Sequence, residues 1–434
     1  MRRLAAAAAV CALAVASVAA GTPVRQARPL QAVSITVDLR AARQVVQGFG
    51  SSERVWSDPH LGDSAKTFVP QAAQAQILTA LYRTLGLTRV RNVLDNGVQK
   101  TPGGPFEFAG KLADAHVELV KQARPYGLRT FFPGPVYLED WMTAGDPGAY
   151  VDWAMAMLQR WRAKGVVPAL YAPLNEPKIA GDFPPEWMRQ VVVRLGRRLR
   201  AAGFPTKLVI PDDENPTDAY RRATAVLADP EARRYVGALA YHVYRWGNWD
   251  EGDLGRMRQL GTRYGLPVWM TEFSSSAYTD WRSSLDWARK LHVLLAEAGV
   301  NAVDYIWGFF GDWVRTDTMI AIRFDDGAYR GYEETPIYWI TGQYSRFVRP
   351  GDVRVAATPP SADVLVSAYR GPGRATVVAT NPSGRPQTIR VRFTGGKAKP
   401  VVRPIRSSAT ERWRELPSLR LRNGTFTTRC RRRA

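Results

Sequence analysis

The sequence predicts an α/β protein, a (β/α)8 TIM barrel followed by a C-terminal β-sandwich domain that an N-terminal strand joins. Three observations predict it. Between about residues 45 and 340, short apolar runs alternate with helix-length amphipathic stretches. Several of those stretches close on a glycine just ahead of the next run, as a helix C-cap feeding a strand does. From about residue 352 the rhythm changes to strand-like segments punctuated by Gly and Pro, with no helix between them. A chain of 434 residues suits a barrel of ~250 residues plus a smaller domain.

The elements follow in order. Met1-Arg2-Arg3 is a positive start, Leu4 to Val18 is nearly all apolar, and Val18-Ala19-Ala20 offers small residues for cleavage. This predicts a signal peptide over 1–20, an extracellular location, and no stable membrane insertion after its removal. The apolar run is short for a bilayer span of ~20 residues. Ser34 to Leu39 alternates as a strand, assigned with 33–44 to the β-sandwich. The barrel is expected over 45–343, with strand candidates at 45–50, 87–91, 128–132, 170–175, 207–210, 238–244, 267–271 and 302–307. Helix-like stretches lie between them at 71–85, 108–124, 148–164, 186–202, 217–228, 252–264 and 281–298. An open doubly wound sheet competes, but no Gly-rich phosphate loop follows the first strand. The sandwich is expected over 344–434, from runs such as Val364 to Tyr369, Ala375 to Thr380 and Gln387 to Phe393.

Composition is that of an ordinary globular protein, 45% hydrophobic and 23% charged, which excludes disorder and fibrous architectures. Of two cysteines, Cys11 lies in the leader, so the mature chain keeps Cys430 alone and forms no internal disulfide. His60, His116, His242 and His292 have no metal-ligand spacing, so neither metal nor cofactor is expected. The net charge of +21 comes from scattered arginine and is read as surface composition, with attraction to an acidic polysaccharide as the functional alternative. No nucleic-acid motif accompanies it. A monomer is expected.

Two acids stand out by position. Asn175-Glu176-Pro177 ends the fourth strand candidate and Thr271-Glu272-Phe273 ends the seventh. Barrel strands carry active sites at their C-terminal ends, so both carboxylates should reach one pocket. Such a pair is the minimum equipment for cleaving a glycosidic bond, and rigid strand ends hold each group in attack geometry. Trp56, Trp141, Trp246, Trp249, Trp307 and Trp313 fall at or after strand ends, where rings can pack on sugar faces. Trp307 is the first choice for the pocket floor and Trp141 the second.

The ordered set resembles glycoside hydrolase family 30, within the clan of barrels with catalytic Glu on strands four and seven. The resemblance rests on Gln47-Gly48-Phe49-Gly50-Ser51-Ser52, Arg89-Val90-Arg91, Leu174-Asn175-Glu176-Pro177, His242-Val243-Tyr244, Trp269-Met270-Thr271-Glu272-Phe273 and the stretch from Gly342 to Gly351. It implies a secreted, retaining β-glycosidase acting on a β-linked polysaccharide or glycoconjugate, of the xylan, β-1,6-glucan or β-1,6-galactan class. Glu272 would be the nucleophile and Glu176 the acid/base, which has to stay protonated near neutrality. Among substrate-binding residues, Arg89 would keep Glu272 charged, with Arg91 its competitor on the expectation that only one faces inward. Tyr244 would hydrogen-bond Glu272, and Asn175 would hold the sugar 2-OH. His242 is either part of the site or structural. The chain departs from the family at Ser51, where a further Gly is common. Residues 308–315 also lack the Arg-Tyr pattern of glucuronate-recognising xylanases. A non-catalytic carbohydrate-binding protein and a transglycosylase are the alternatives.

Overall fold

The computed structural model describes residues 32–62, 67–94, 96–109, 111–358, 364–383, 385–396 and 400–430. The expected signal peptide and the last arginines of the basic tail lie outside them.

After β1 (Val33–Val45), eight parallel strands form one sheet: β2 (Gly48–Glu53), β3 (Arg89–Leu94), β4 (Thr130–Pro135), β5 (Leu170–Tyr171), β6 (Lys207–Asp213), β7 (Val236–His242), β8 (Val268–Glu272) and β9 (Ala302–Ile306). Their order is β4-β3-β2-β9-β8-β7-β6-β5. Every strand candidate expected between 45 and 307 overlaps one of these. The seam between β4 and β5 closes through Ala172 N–H to Pro133 O (3.0 Å) and Asn175 N–H to Pro135 O (3.1 Å). The seam is thin because Pro133 and Pro135 have no N–H to give back. The barrel interior is a packed core of Phe132, Trp269 and small residues such as Ala172, Ala238, Ala240 and Ala302.

The crossover helices are α1 (Gln71–Leu78), α2 (Leu112–Ala123), α3 (Pro147–Ala163), α4 (Pro185–Ala201), α5 (Pro216–Ala228), α6 (Gly252–Tyr264) and α7 (Trp281–His292). Local chemistry fixes their ends. Asp280 and Ser283 form a reciprocal capping box at the start of α7, and the Asn215 side chain accepts from Asp218 N–H at the start of α5. α6 ends on Gly265 (φ 66°), a left-handed conformation that costs glycine no Cβ clash.

Two features were not anticipated. A three-stranded sheet of β10 (Phe309–Gly311), β11 (Ile320–Asp325) and β12 (Ala328–Glu334) follows the eighth barrel strand, where the sequence reading had only a loop. The last helix, α8 (Pro336–Ser345), runs across the expected 343/344 boundary. Both were obscured by weak periodicity: β12 fully buries neither face, and α8 is buried nearly all round.

The remaining strands are β13 (Val353–Ala357), β14 (Leu365–Gly371), β15 (Arg374–Thr380), β16 (Gln387–Thr394), β17 (Val401–Val402), β18 (Ile405–Ser408), β19 (Glu411–Glu415), β20 (Leu419–Arg420) and β21 (Thr425–Cys430). The main sheet runs β15-β14-β13-β1-β16-β21, with β17–β20 and β18–β19 as separate pairs. β1 is therefore central to the sandwich, antiparallel to β13 and parallel to β16. Its alternation buries Ile35, Val37 and Leu39 against Val355, Val391 and Phe426. Among the described residues, no helix is long and apolar enough to cross a membrane.

Candidate active site

The interior of the barrel is layered, and β3 shows how. Arg89 and Arg91 are two positions apart, so both point inward, and both are fully buried. This corrects the expectation that only one of them faces the interior. Arg89 lies about 6–7 Å deeper along the strand. There its Nε and Nη2 donate to Asp304 Oδ1 and Oδ2 at 2.9 and 3.0 Å, and its guanidinium lies 4.1 Å from the Trp269 ring centroid. Gly50 stands in register with both Arg89 and Asp304. A Cβ there would come within 2.4 Å of Asp304 Oδ1 and 2.6 Å of the Arg89 Cβ, so the ion pair depends on glycine at that position. Arg89 is thus spent on the core, too deep to reach Glu272.

Arg91 holds the position expected of Arg89. Its Nη1 donates to Glu272 Oε2 at 2.8 Å, its Nε and Nη2 donate to Asp212 Oδ2 at 3.0 and 2.9 Å, and its Nη2 also donates to Asn175 Oδ1. One planar fork therefore fixes residues from the ends of β6 and β8 and from the loop after β5. Tyr244 Oη donates to the other Glu272 oxygen at 2.9 Å, as expected. Asn175 spends its carbonyl on Arg91.

Glu176 follows Asn175 in a left-handed backbone conformation (φ 45°), sparsely populated by residues with a Cβ. Its N–H bonds Asp212 O at 2.9 Å, and Asp212 is itself left-handed (φ 61°). The Glu176 side chain meets His242 Nδ1 at 2.8 Å. His242 Nε2 lies 3.4 Å from Asp212 Oδ1, without hydrogen-bond geometry but close enough for charge attraction. Thr271 Oγ1 donates to the same Asp212 oxygen at 2.5 Å. One carboxylate oxygen from each of Glu176 and Glu272 and a ring nitrogen of His242 all lie within 4.8 Å of one another.

Electrostatics assign the protons. Burial would raise the Asp212 carboxyl, but the Arg91 charge and then His242 hold it far below the usual carboxylate range. Burial would lower His242, but Glu272, Asp212 and Glu176 around it raise it to about 10. Burial raises Glu176, and the hydrogen bond and charge of His242, with Arg91, outweigh this and leave it below its ordinary value. In the resting site the shared proton therefore sits on His242, hydrogen-bonded to Glu176. A Glu-His-Glu cluster also has the donor types of a cation site. Here Arg91 and Tyr244 already occupy the Glu272 oxygens, and Nδ1 of His242 is engaged with Glu176.

The two tryptophans sit apart from this network. Trp141, half-buried, donates its indole N–H to Gln99 O at 2.7 Å, tying the loop after β4 to the loop after β3. The neighbouring Glu139 accepts from the N–H groups of Gly97, Val98 and Gln99 in the same tie. Trp307 stacks on Phe310 (centroids 5.4 Å apart) and lies under the Arg54 guanidinium at 5.7 Å. Neither indole hydrogen-bonds to the carboxylate cluster.

Sequence reasoning missed Asp212 and Glu53. Asp212 ends β6 but was passed over because the apolar run stops at Pro211. Glu53 ends β2, fully buried, accepting from Ser51 Oγ at 2.6 Å and Phe309 N–H at 3.3 Å. Burial pushes its carboxyl up to about 8. An acid at the C-terminal end of a barrel strand was the signal available for both.

No protein-family model matches the chain. It is 25% identical over 408 residues to the glucuronoxylanase XynC of Bacillus subtilis (strain 168), covering 88% of this chain and 86% of that one. A putative glucosylceramidase 2 of Caenorhabditis elegans is 22% identical over 413 residues, 81% of this chain and 77% of the other. Among solved structures, a GH30 endoxylanase from Clostridium papyrosolvens superposes with a TM-score of 0.71 at 20% identity, covering 92% of this chain and 97% of its own. Barrel and sandwich extend that likeness over the described length of the molecule, and the chain is similar to glycoside hydrolase family 30 enzymes in sequence and fold.

Proposed function

We propose that this protein is a secreted, monomeric, retaining β-glycosidase that cleaves a β-linked polysaccharide or glycoconjugate by double displacement. Its substrate class is xylan, β-1,6-glucan or β-1,6-galactan. The observation that carries the reading is the approach of Glu176 and Glu272 to within 4.8 Å at the mouth of the barrel. Retention needs carboxyl groups about 5–5.5 Å apart, whereas inversion needs room for a water between them, about 6.5–9.5 Å.

In this reading Glu272, kept anionic by Arg91 and oriented by Tyr244, attacks the anomeric carbon. The leaving oxygen takes its proton from Glu176, which first draws it from His242 at 2.8 Å and is left as a carboxylate. Water then enters, Glu176 removes its proton, and the glycosyl–Glu272 bond breaks with net retention. Donation of Arg91 to Asn175 Oδ1 leaves the Asn175 NH2 group to hold the sugar 2-OH. The loops bearing Trp141 and Trp307 are the proposed walls of the sugar subsites.

Replacing Glu272 with Ala tests this. Turnover should be lost, and azide should restore it with a product of inverted configuration. Full activity without azide would sink the nucleophile assignment and leave the carbohydrate-binding reading. Release of products only in the presence of an acceptor sugar would indicate a transglycosylase.

A further inference from the structure

The end of the barrel opposite the carboxylates carries a second concave site. A cavity of about 950 Å³ lies where the starts of β8 and β9 and the C-terminal part of α6 meet β1 and β13. Among the described residues it is lined by three arginines, Arg43, Arg258 and Arg354, and by no Asp or Glu.

The arginines are held but not neutralised. Gln44 is the fixture: its Nε2 donates to Leu295 O at 2.6 Å and Val300 O at 3.2 Å, and its Oε1 accepts from Arg354 Nε at 2.8 Å. That bond orients the Arg354 fork, and its Nη groups have no acceptor among the described residues. Arg258 packs its aliphatic stem over Gly299 and gives Nη1 to Glu297 O at 2.8 Å. The Glu297 carboxylate is turned to His292, 3.7 Å from its Nε2. Arg43 is exposed and makes no ion pair among the described residues. Burial lowers Arg354 below its usual value, with the neighbouring Arg43 and Arg258 charges adding to it and Tyr369 opposing it. Some arginines elsewhere on this molecule are paired with carboxylates, as at Arg160–Asp114, Arg197–Glu231 and Arg406–Glu411, while these three are not. An unopposed triple at the floor of a groove is a poor choice for stability and a good one for an anion.

We propose that this groove is a second glycan site that binds a uronate-bearing oligosaccharide strand through its carboxylates. Planar guanidinium forks match carboxylates two bonds at a time, and the cavity lies in the size range of small-ligand sites, about 300–1,000 Å³. Pro267 and Leu266 give the wall an apolar stretch, and the Thr262 hydroxyl, which donates to Arg258 O, can accept from a sugar hydroxyl. Choosing a glycan rather than another anion rests on the glycosidase reading above. β8 measures the separation: Val268 lines the groove and Glu272 lies at the other end, about 13 Å along the strand. A strand bound here would not occupy the cleavage site. It would hold the enzyme on an acidic polymer and raise the local concentration of cleavable chain.

The test is calorimetric titration of the full chain with an oligogalacturonate, and with neutral and sulfated oligosaccharides of equal length. Hydrolysis of a small neutral aryl β-glycoside is followed in parallel. The expected result is salt-sensitive binding of the oligouronate, weakened at least tenfold by Arg43→Glu and by Arg354→Gln, with aryl-glycoside turnover unchanged. No binding, or binding indifferent to both substitutions, overturns the site. Displacement by an equal concentration of inorganic phosphate, or equal affinity for the sulfated strand, overturns the uronate assignment. Binding with no turnover of any glycoside would instead count against the proposed function.

Discussion

Arg89 and Arg91 share a strand, a face and complete burial, yet one is fastened into the barrel floor and the other to Glu272 and Asp212 at the mouth. Arg89 meets a single partner, Asp304, with an aromatic ring over its plane and no route to solvent. Arg91 meets two carboxylates and an amide at once, in a network that opens toward the pocket. Facing inward is therefore not what gives an arginine a role at the site. Depth along the strand decides it, because strand C-termini alone reach the mouth.

Substitution can break that comparison. Arg89→Ala should have the largest effect on stability, about 3–5 kcal/mol, because it strands the Asp304 carboxylate in the core. Urea denaturation would show it, and the folded fraction should keep its activity per molecule. Arg91→Lys should leave Tm far less changed while kcat falls about 10²–10³-fold, since one ammonium cannot replace a fork that aligns Glu272, Asp212 and Asn175 together. Equal losses of stability from both would erase the distinction between the layers. Tyr244→Phe removes one hydrogen bond to a charged group, worth about 1.5–3 kcal/mol, so kcat should drop roughly 10–100-fold with KM little altered.

The smallest effect concerns Glu53, which stands at the mouth like Arg91 but is held by neutral donors rather than opposite charge. Its folded-state value of about 8 lies above its ordinary 4.5. Between those values the native state keeps a proton that the unfolded chain has lost, so this group makes stability fall as pH rises from about 4.5 to 8. Glu53→Gln should flatten that slope and raise stability above pH 8 relative to the parent protein. Thermal melts across pH would reveal it, and an unchanged slope would mean that Glu53 is ionised in the fold.

Much of this was legible beforehand, for identifiable reasons. The barrel strands were visible because buried parallel strands read as apolar runs, and the helices because their amphipathic period and terminal glycines are local signals. β1 was visible as a strand because only one face of it is buried. Glu176 and Glu272 followed from strand-end position, and the Tyr244 contact from the family resemblance. The β10–β12 sheet was not visible, since its last strand has no clean alternation. Nor was the location of the site's proton, which depends on His242, Asp212 and Arg91 converging from three strands.

The sequence by itself determined the repeating strand–helix unit, the ends at which each chain segment must turn, and the two acids that any such barrel would bring to one face. These are set by periodicity and local backbone chemistry, which act over a few residues. Only the tertiary structure decided that Arg91 rather than Arg89 meets Glu272, that His242 rather than Glu176 holds the resting proton, and that three arginines converge on the far end of the barrel. Each depends on Coulomb energy and burial among residues distant in the chain. Those quantities have no value until the strands are placed in register.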